Sequence, residues 1–180
     1  MRANRKQTLS ILVRNAPGVL QRVSGLFSRR SYNIESITVG ESEQQGLSRI
    51  IAVADGDERT IEQIGHQLRK LIDVIEVNHL NSAPFVSREL MLIKLKTDPA
   101  LRAEIQNLIQ TFRCSIIDIA PESMIVQVIG STDKNDAFVQ LVARYGIVQM
   151  TRTGETAMSR DEICPVAIAG QPLGSSIVRF

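Results

Sequence analysis

Tryptophan is absent from the chain, and two tyrosines and five phenylalanines bring the aromatics to only 4%. So few rings argue against base stacking, the usual grip on single-stranded nucleic acid. Histidine and cysteine are as scarce: His66, His79, Cys114 and Cys164 are all there are. No set of them falls at the spacing of a zinc site. The two distant cysteines read as reduced thiols of a cytoplasmic protein, with a single bridge as the other arrangement open to them. No apolar run approaches the roughly 20 residues of a membrane helix. Arg2, Arg5 and Lys6 charge the N-terminus, but the apolar stretch of a secretory signal does not follow. The net charge is +2 with the basic residues scattered, whereas a nucleic-acid footprint needs them gathered. No nucleic acid and no membrane is expected as a partner.

What is present is an ordinary globular composition, 43% hydrophobic and 22% charged over 180 residues. That length holds one large domain or two small ones. The most informative stretch runs from Leu9 to Glu35. Leu9, Ile11 and Val13 share one face of a strand. Asn15-Ala16-Pro17-Gly18 breaks it, and Val19 to Arg30 reads as a helix with Val19, Leu20, Val23, Leu26 and Phe27 as its buried stripe. Asn15 is the expected cap of that helix and Pro17 suits its first turn. Gly18 has no Cβ, so another molecule can come close to the backbone there. Unpaired N–H groups and the helix dipole then favour a small carboxylate. Such a turn also serves as plain connection chemistry, and the residues alone leave both readings open. Gly25 within the helix is a tolerated glycine or a point of close packing.

The rest of the first half completes a pattern. Ser31 to Val39 brings a second strand, Glu41 to Gly46 a polar hairpin, and Leu47 to Ala54 a strand apolar enough to be covered on both faces. Thr60 to Leu71 reads as a helix with Ile61, Ile64, Leu68 and Leu71 inward, which puts His66 on the surface. Val74 to Val77 is a fourth strand, and His79 beyond it reads as structural. Strand, helix, strand, strand, helix, strand is the split βαβ plan of ferredoxin-like domains. Right-handed crossovers place both helices on one sheet face, leaving the other in need of cover.

Asn81-Ser82-Ala83-Pro84 opens a linker over 81–88, and the plan recurs. Leu90 to Lys96 is a strand; Asp98 caps the next helix, with Pro99 in its first turn. Ser115 to Ile119 and Met124 to Ile129 pair, Thr132 or Asp133 caps a second helix, and Ile147 to Met150 is the last strand. Glu155 to Arg160 is polar. Cys164 to Phe180 has no clear period, so it is a loosely docked tail or one that adds Ser176 to Phe180 to a sheet edge.

These residues resemble a family. The run Leu12-Val13-Arg14-Asn15-Ala16-Pro17-Gly18-Val19-Leu20, then Gly25 to Arg30, then Tyr32-Asn33-Ile34-Glu35-Ser36 is similar to the opening of the small, regulatory subunits of acetolactate synthase (acetohydroxyacid synthase). Leu47-Ser48-Arg49, Ile61 to Val74, Arg88 to Leu92, Phe112-Arg113, Ile116-Ile117-Asp118, Asp136-Ala137-Phe138 and Ser159-Arg160 extend the likeness over about Thr8 to Asp161.

The resemblance implies an α+β chain of two ferredoxin-like βαββαβ domains in tandem: an ACT domain over 1–80, a linker over 81–88, a second domain over 89–161 and a tail over 162–180. It implies a chain with no catalytic residues, no metal and no cofactor of its own, which activates a large catalytic subunit and confers feedback inhibition by valine or another branched-chain amino acid. Thiamine diphosphate, magnesium and FAD belong to that large subunit. The effector would sit where two ACT domains pair, one chain giving the helix N-terminus and the other the Asn33 strand. The candidate effector-binding residues are Asn15, Ala16, Pro17, Gly18, Val19, Leu20, Asn33 and Ile34. Partners are then the large subunit, a second copy of this chain and the amino acid, in the cytoplasm.

A free-standing amino-acid sensor for a different enzyme is the alternative, since the same turn serves both. An enzyme in its own right has little to build on. Asp55, Asp57 and Glu58 gather at a strand-to-helix junction, where capping accounts for them. No nucleophile–base pairing or phosphate loop accompanies them.

Overall fold

Alternation buries Leu9, Ile11 and Val13 on one face of β1 (Arg5–Arg14), and the chain then turns at an exposed corner into α1 (Val19–Arg29). β2 (Ile34–Glu41) and β3 (Leu47–Gly56) form a hairpin, α2 (Glu58–Leu68) crosses over, and β4 (Val74–His79) closes a four-stranded antiparallel sheet of order β2-β3-β1-β4. The computed structural model describes residues 5–30, 32–98 and 100–160. Both helices lie on one face, where Val23, Leu26, Phe27, Ile61, Ile64 and Leu68 pack on Leu9, Ile11, Ile50 and Ala52. Asp57 caps α2 by accepting from the Thr60 N–H at 2.9 Å, which leaves Asp57 and its acidic neighbours a structural explanation.

The second unit repeats this topology. β5 (Phe85–Lys96), α3 (Arg102–Thr111), β6 (Ser115–Ile119), β7 (Ser123–Gly130), α4 (Thr132–Val142) and β8 (Ile147–Arg152) give the order β6-β7-β5-β8 around a core of Met91, Ile93, Ile105, Val126 and Phe138. Cap positions differ from the sequence reading. Ser131 rather than Thr132 or Asp133 caps α4, accepting from Lys134 N–H. Asp98 caps nothing; its carboxylate takes the Ala100 N–H at 2.9 Å in a turn that delays α3 to Arg102. Pro99 and the tail 162–180, with Cys164, lie outside the described residues.

The expected linker over 81–88 is corrected by the backbone. Leu80–Ser82 is a single 3₁₀ turn, and Phe85 to Arg88 already belong to β5, paired antiparallel with β9 (Thr156–Ser159). The polar Glu155 to Arg160 conceals that strand because only Ala157 of it is buried, among otherwise half-exposed or exposed neighbours.

β9 and the segment before it cover the helix-free face of the first sheet. Ile51 on that face is buried among Leu80, Ala157 and Phe85. This is why β3 is apolar in both phases: one phase meets the helices and the other meets the second unit. Three side-chain bonds bind the seam. The Thr38 hydroxyl is shared between the Thr153 and Glu155 carbonyls at 3.3 and 3.1 Å, and the Glu155 N–H donates to the Ser36 hydroxyl. Gly154 between them is buried at φ 83°.

Candidate effector-binding site

The corner after β1 is built from backbone. Asn15 N–H donates to Gly46 O at 2.8 Å and Ala16 N–H to Arg14 O at 3.0 Å, which fixes the turn. Gly18 stands at the N-cap position of α1 with φ 81°, and no side chain caps the helix. Asn15 therefore does not cap it: the turn through Ala16 and Pro17 moves the helix start on by three residues. A left-handed φ is easily held only by glycine, and Asn15, Ala16, Pro17 and Gly18 are all exposed. The result is an open helix N-terminus facing solvent, disposed toward an anion.

It is not bare. The Arg22 guanidinium, one turn along, leans back until its Nη1 is 3.2 Å from where a Gly18 Cβ would stand. Its Nη2 pairs with Asp73 Oδ2 at 2.5 Å, and the Asp73 carbonyl accepts from the Arg14 N–H at the end of β1. In the sequence Arg22 is only one polar residue among those between the apolar positions of α1. No local pattern connects it to Asp73, 51 positions away.

Asn33 and Ile34 lie elsewhere in the same copy. Asn33 is exposed, with its carbonyl accepting from Asp55 N–H, and half-buried Ile34 pairs with Ala54. Asp55 sits across from Lys6, whereas Gly18 follows Arg14, across from Leu47. The two halves of the candidate site thus lie toward opposite ends of β1, whose Lys6 and Arg14 are about 26 Å apart, eight residues at roughly 3.3 Å each. Between them runs β2, one of the two edge strands of the sheet. Leu20, expected in the core stripe, is 46% exposed, and Val39 on β2 is equally exposed. Val19 is buried as expected.

Two further features bear on chemistry. A cleft of about 560 Å³ between the units is walled by Lys6, Glu35, Glu89, Asp136 and Arg152. Both of its cations are paired: Lys6 bonds Glu35 at 2.8 Å, and Arg152 bonds Asp136 at 2.6 Å and lies 3.5 Å from buried Glu89, which also takes the Asn135 amide at 2.9 Å. The hydrogen bond to Glu35 raises the Lys6 pKa, as a paired ammonium should be raised. Among the described residues no group of three or more His, Cys, Asp or Glu is arranged to hold a metal, and no helix is long and apolar enough to cross a membrane.

Comparison with known proteins bears on the same residues. Residues 9–76 match the AHAS small subunit-like ACT domain, and residues 88–161 match the small subunit of acetolactate synthase. The chain belongs to the acetolactate synthase small-subunit family. The probable small subunit of Methanothermobacter thermautotrophicus is 50% identical over 153 residues, 84% of this chain and 91% of the relative. The Bacillus subtilis small subunit is 44% identical over 156 residues, 86% of this chain and 91% of the relative. A crystal structure of the Thermotoga maritima small subunit superposes with a TM-score of 0.82 at 42% identity, covering 88% of this chain and 99% of that one. Membership makes the chain a small, regulatory subunit. It also gives the first unit its kind, an ACT domain whose matched span contains every candidate effector residue.

Proposed function

We propose that this small subunit senses a branched-chain amino acid, valine first among them, at an interface between two copies of its ACT domain. Through that sensing it sets the activity of a thiamine-diphosphate-dependent catalytic subunit in the cytoplasm: it activates the enzyme, and the bound amino acid withdraws the activation. The sensing unit is taken as residues 1–80 and the second unit as starting at Phe85, where β5 begins, four residues ahead of the expected 89–161, with 162–180 as a tail.

The observation that carries this reading is the separation of Gly18 from Asn33. One copy cannot offer both to a molecule the size of an amino acid. Antiparallel pairing of two β2 edges, however, sets the Gly18 corner of one copy beside Asn33 of the other, twice per pair. A free β edge is a template for such pairing, and exposed Val39 gives it an apolar residue to bury. The chemistry fits an α-amino acid: helix N–H groups for the carboxylate, the Asn15 and Asn33 amide oxygens for the ammonium, and Ile34 with Leu20 for a branched aliphatic side chain. Effector and catalytic subunit then bias one equilibrium from two sites, so each weakens the binding of the other by the same factor.

Calorimetric titration of the full chain with valine, leucine and isoleucine tests the sensor. It is paired with sedimentation and with activity assays on the catalytic subunit. Saturable heat at one site per chain, in a dimer, is expected. A monomer that binds the amino acid, or a dimer that binds none, overturns the reading. Association with some other enzyme instead would favour the free-standing sensor.

A further inference from the structure

We infer that Arg22 is a positioning residue for the effector carboxylate, and that Asp73 is an internal anion holding its place until the effector arrives. The inference rests on the amino-acid reading above and adds to it a side chain which that reading does not use.

Three observations meet here. The Arg22 guanidinium covers the Gly18 corner, 3.2 Å from the position of the absent Cβ, although its own Cα lies a full turn into the helix. It is turned there by Asp73, whose side chain is only 13% exposed while that of Arg22 is 47% exposed. The anion is therefore the fixed partner and the cation the movable one. Finally, α1 starts without a side-chain cap, and from Asn15 to Arg22 the one charged side chain is this guanidinium.

A carboxylate settling at Gly18 meets a fork of N–H donors already in place, one arm on Asp73 and the other free to turn. Charge-assisted bonds to a guanidinium are the stronger kind, and a planar fork suits a carboxylate. Asp73 has two effects of opposite sign. It holds Arg22 over the corner, which lowers the ordering cost on binding. It also neutralises part of the charge the effector would use. Competition dominates, because Arg22 is part of α1, one turn from Gly18, whether or not Asp73 is charged. The Asp73 carbonyl also takes the Arg14 N–H at the end of β1, so movement of Arg22 away from Asp73 acts at the junction of β1 and β4.

The test is calorimetric titration of the full chain with L-valine and with L-valinamide, which lacks the carboxylate, alongside thermal melts. Arg22→Gln is expected to weaken valine binding roughly tenfold or more and to erase the preference of valine over valinamide. Arg22→Lys is expected to restore part of both. Asp73→Asn is expected to tighten valine severalfold, although it breaks the same ion pair. Both single variants lose that pair, so their melting temperatures fall together while their affinities part. A purely structural pair would move both affinities in one direction, and that result overturns the inference, as does an Arg22→Gln protein that binds valine like the wild type. A wild-type chain that takes up no branched-chain amino acid would instead overturn the sensor reading itself.

Discussion

Gly154 faces Ser36 so closely that a methyl group on its α-carbon would stand 3.1 Å from the Ser36 Cβ and 3.2 Å from the Thr38 hydroxyl. The contact joins the edge strand of the ACT sheet to the segment that leads into β9, at a φ of 83°.

Gly154→Val should therefore pry the two units apart. Both the left-handed backbone and the lost clearance work against it, at about 1–3 kcal/mol for strain or forced overpacking. Urea unfolding is expected to shift to lower midpoint and to broaden as the units uncouple. Gly46→Ala is the control: its φ is 79°, but a Cβ there meets nothing within 4 Å. Its loss should be smaller and its transition should stay sharp.

Gly18→Asp should abolish effector binding. The new side chain is strained at φ 81° and puts a carboxylate beside Arg22, where the effector carboxylate belongs. Like charges so placed cost several kcal/mol, a hundredfold or more in affinity. Activation of the catalytic subunit should persist without valine sensitivity. Inhibition at wild-type valine concentrations would count against the site.

Val39→Lys should yield a folded monomer. Val39 is 46% exposed on β2, so the fold loses little, but each pair of copies would bring two ammonium groups to one seam. The dimer dissociation constant is expected to rise about a hundredfold or more. Valine binding should fall with it, although Gly18 and Arg22 are untouched. Sedimentation velocity with and without valine reads both effects.

His79 predicts the direction of one pH effect. Its Nε2 lies 2.7 Å from Gln7 Oε1, and burial lowers its pKa from 6.5 against the smaller pull of Glu58 and Glu62. A lowered value means the unfolded chain binds the proton more readily. The contribution of His79 is then fully present above 6.5 and is lost as pH falls through and below that value. His79→Gln should flatten this part of the stability profile, measured as urea midpoint against pH.

Much of the architecture was legible because periodicity reports burial. Leu9, Ile11 and Val13, or Val23, Leu26 and Phe27, face the core as their spacing requires. Capping was less legible. A cap depends on where the helix starts, and a few turn residues moved the start past Asn15 and past Asp98. The seam was invisible for another reason. Ser36, Thr38 and Gly154 are small polar or bare residues whose meeting spans more than a hundred positions, 117 between Thr38 and Glu155. The candidate site divides the same way: its turn and its asparagine strand carry a local signature, whereas Arg22 gains meaning only from Asp73.

The first four residues of β5 are gripped by β9, and its remaining length runs between β7 and β8. Severing the chain after Arg88 would strip Thr156–Ser159 of its ladder and leave a raw, sticky strand on the excised half. A cut ahead of Phe85 keeps that ladder whole, so the natural seam for dissecting this molecule lies a few residues earlier than a second unit starting at 89 would suggest.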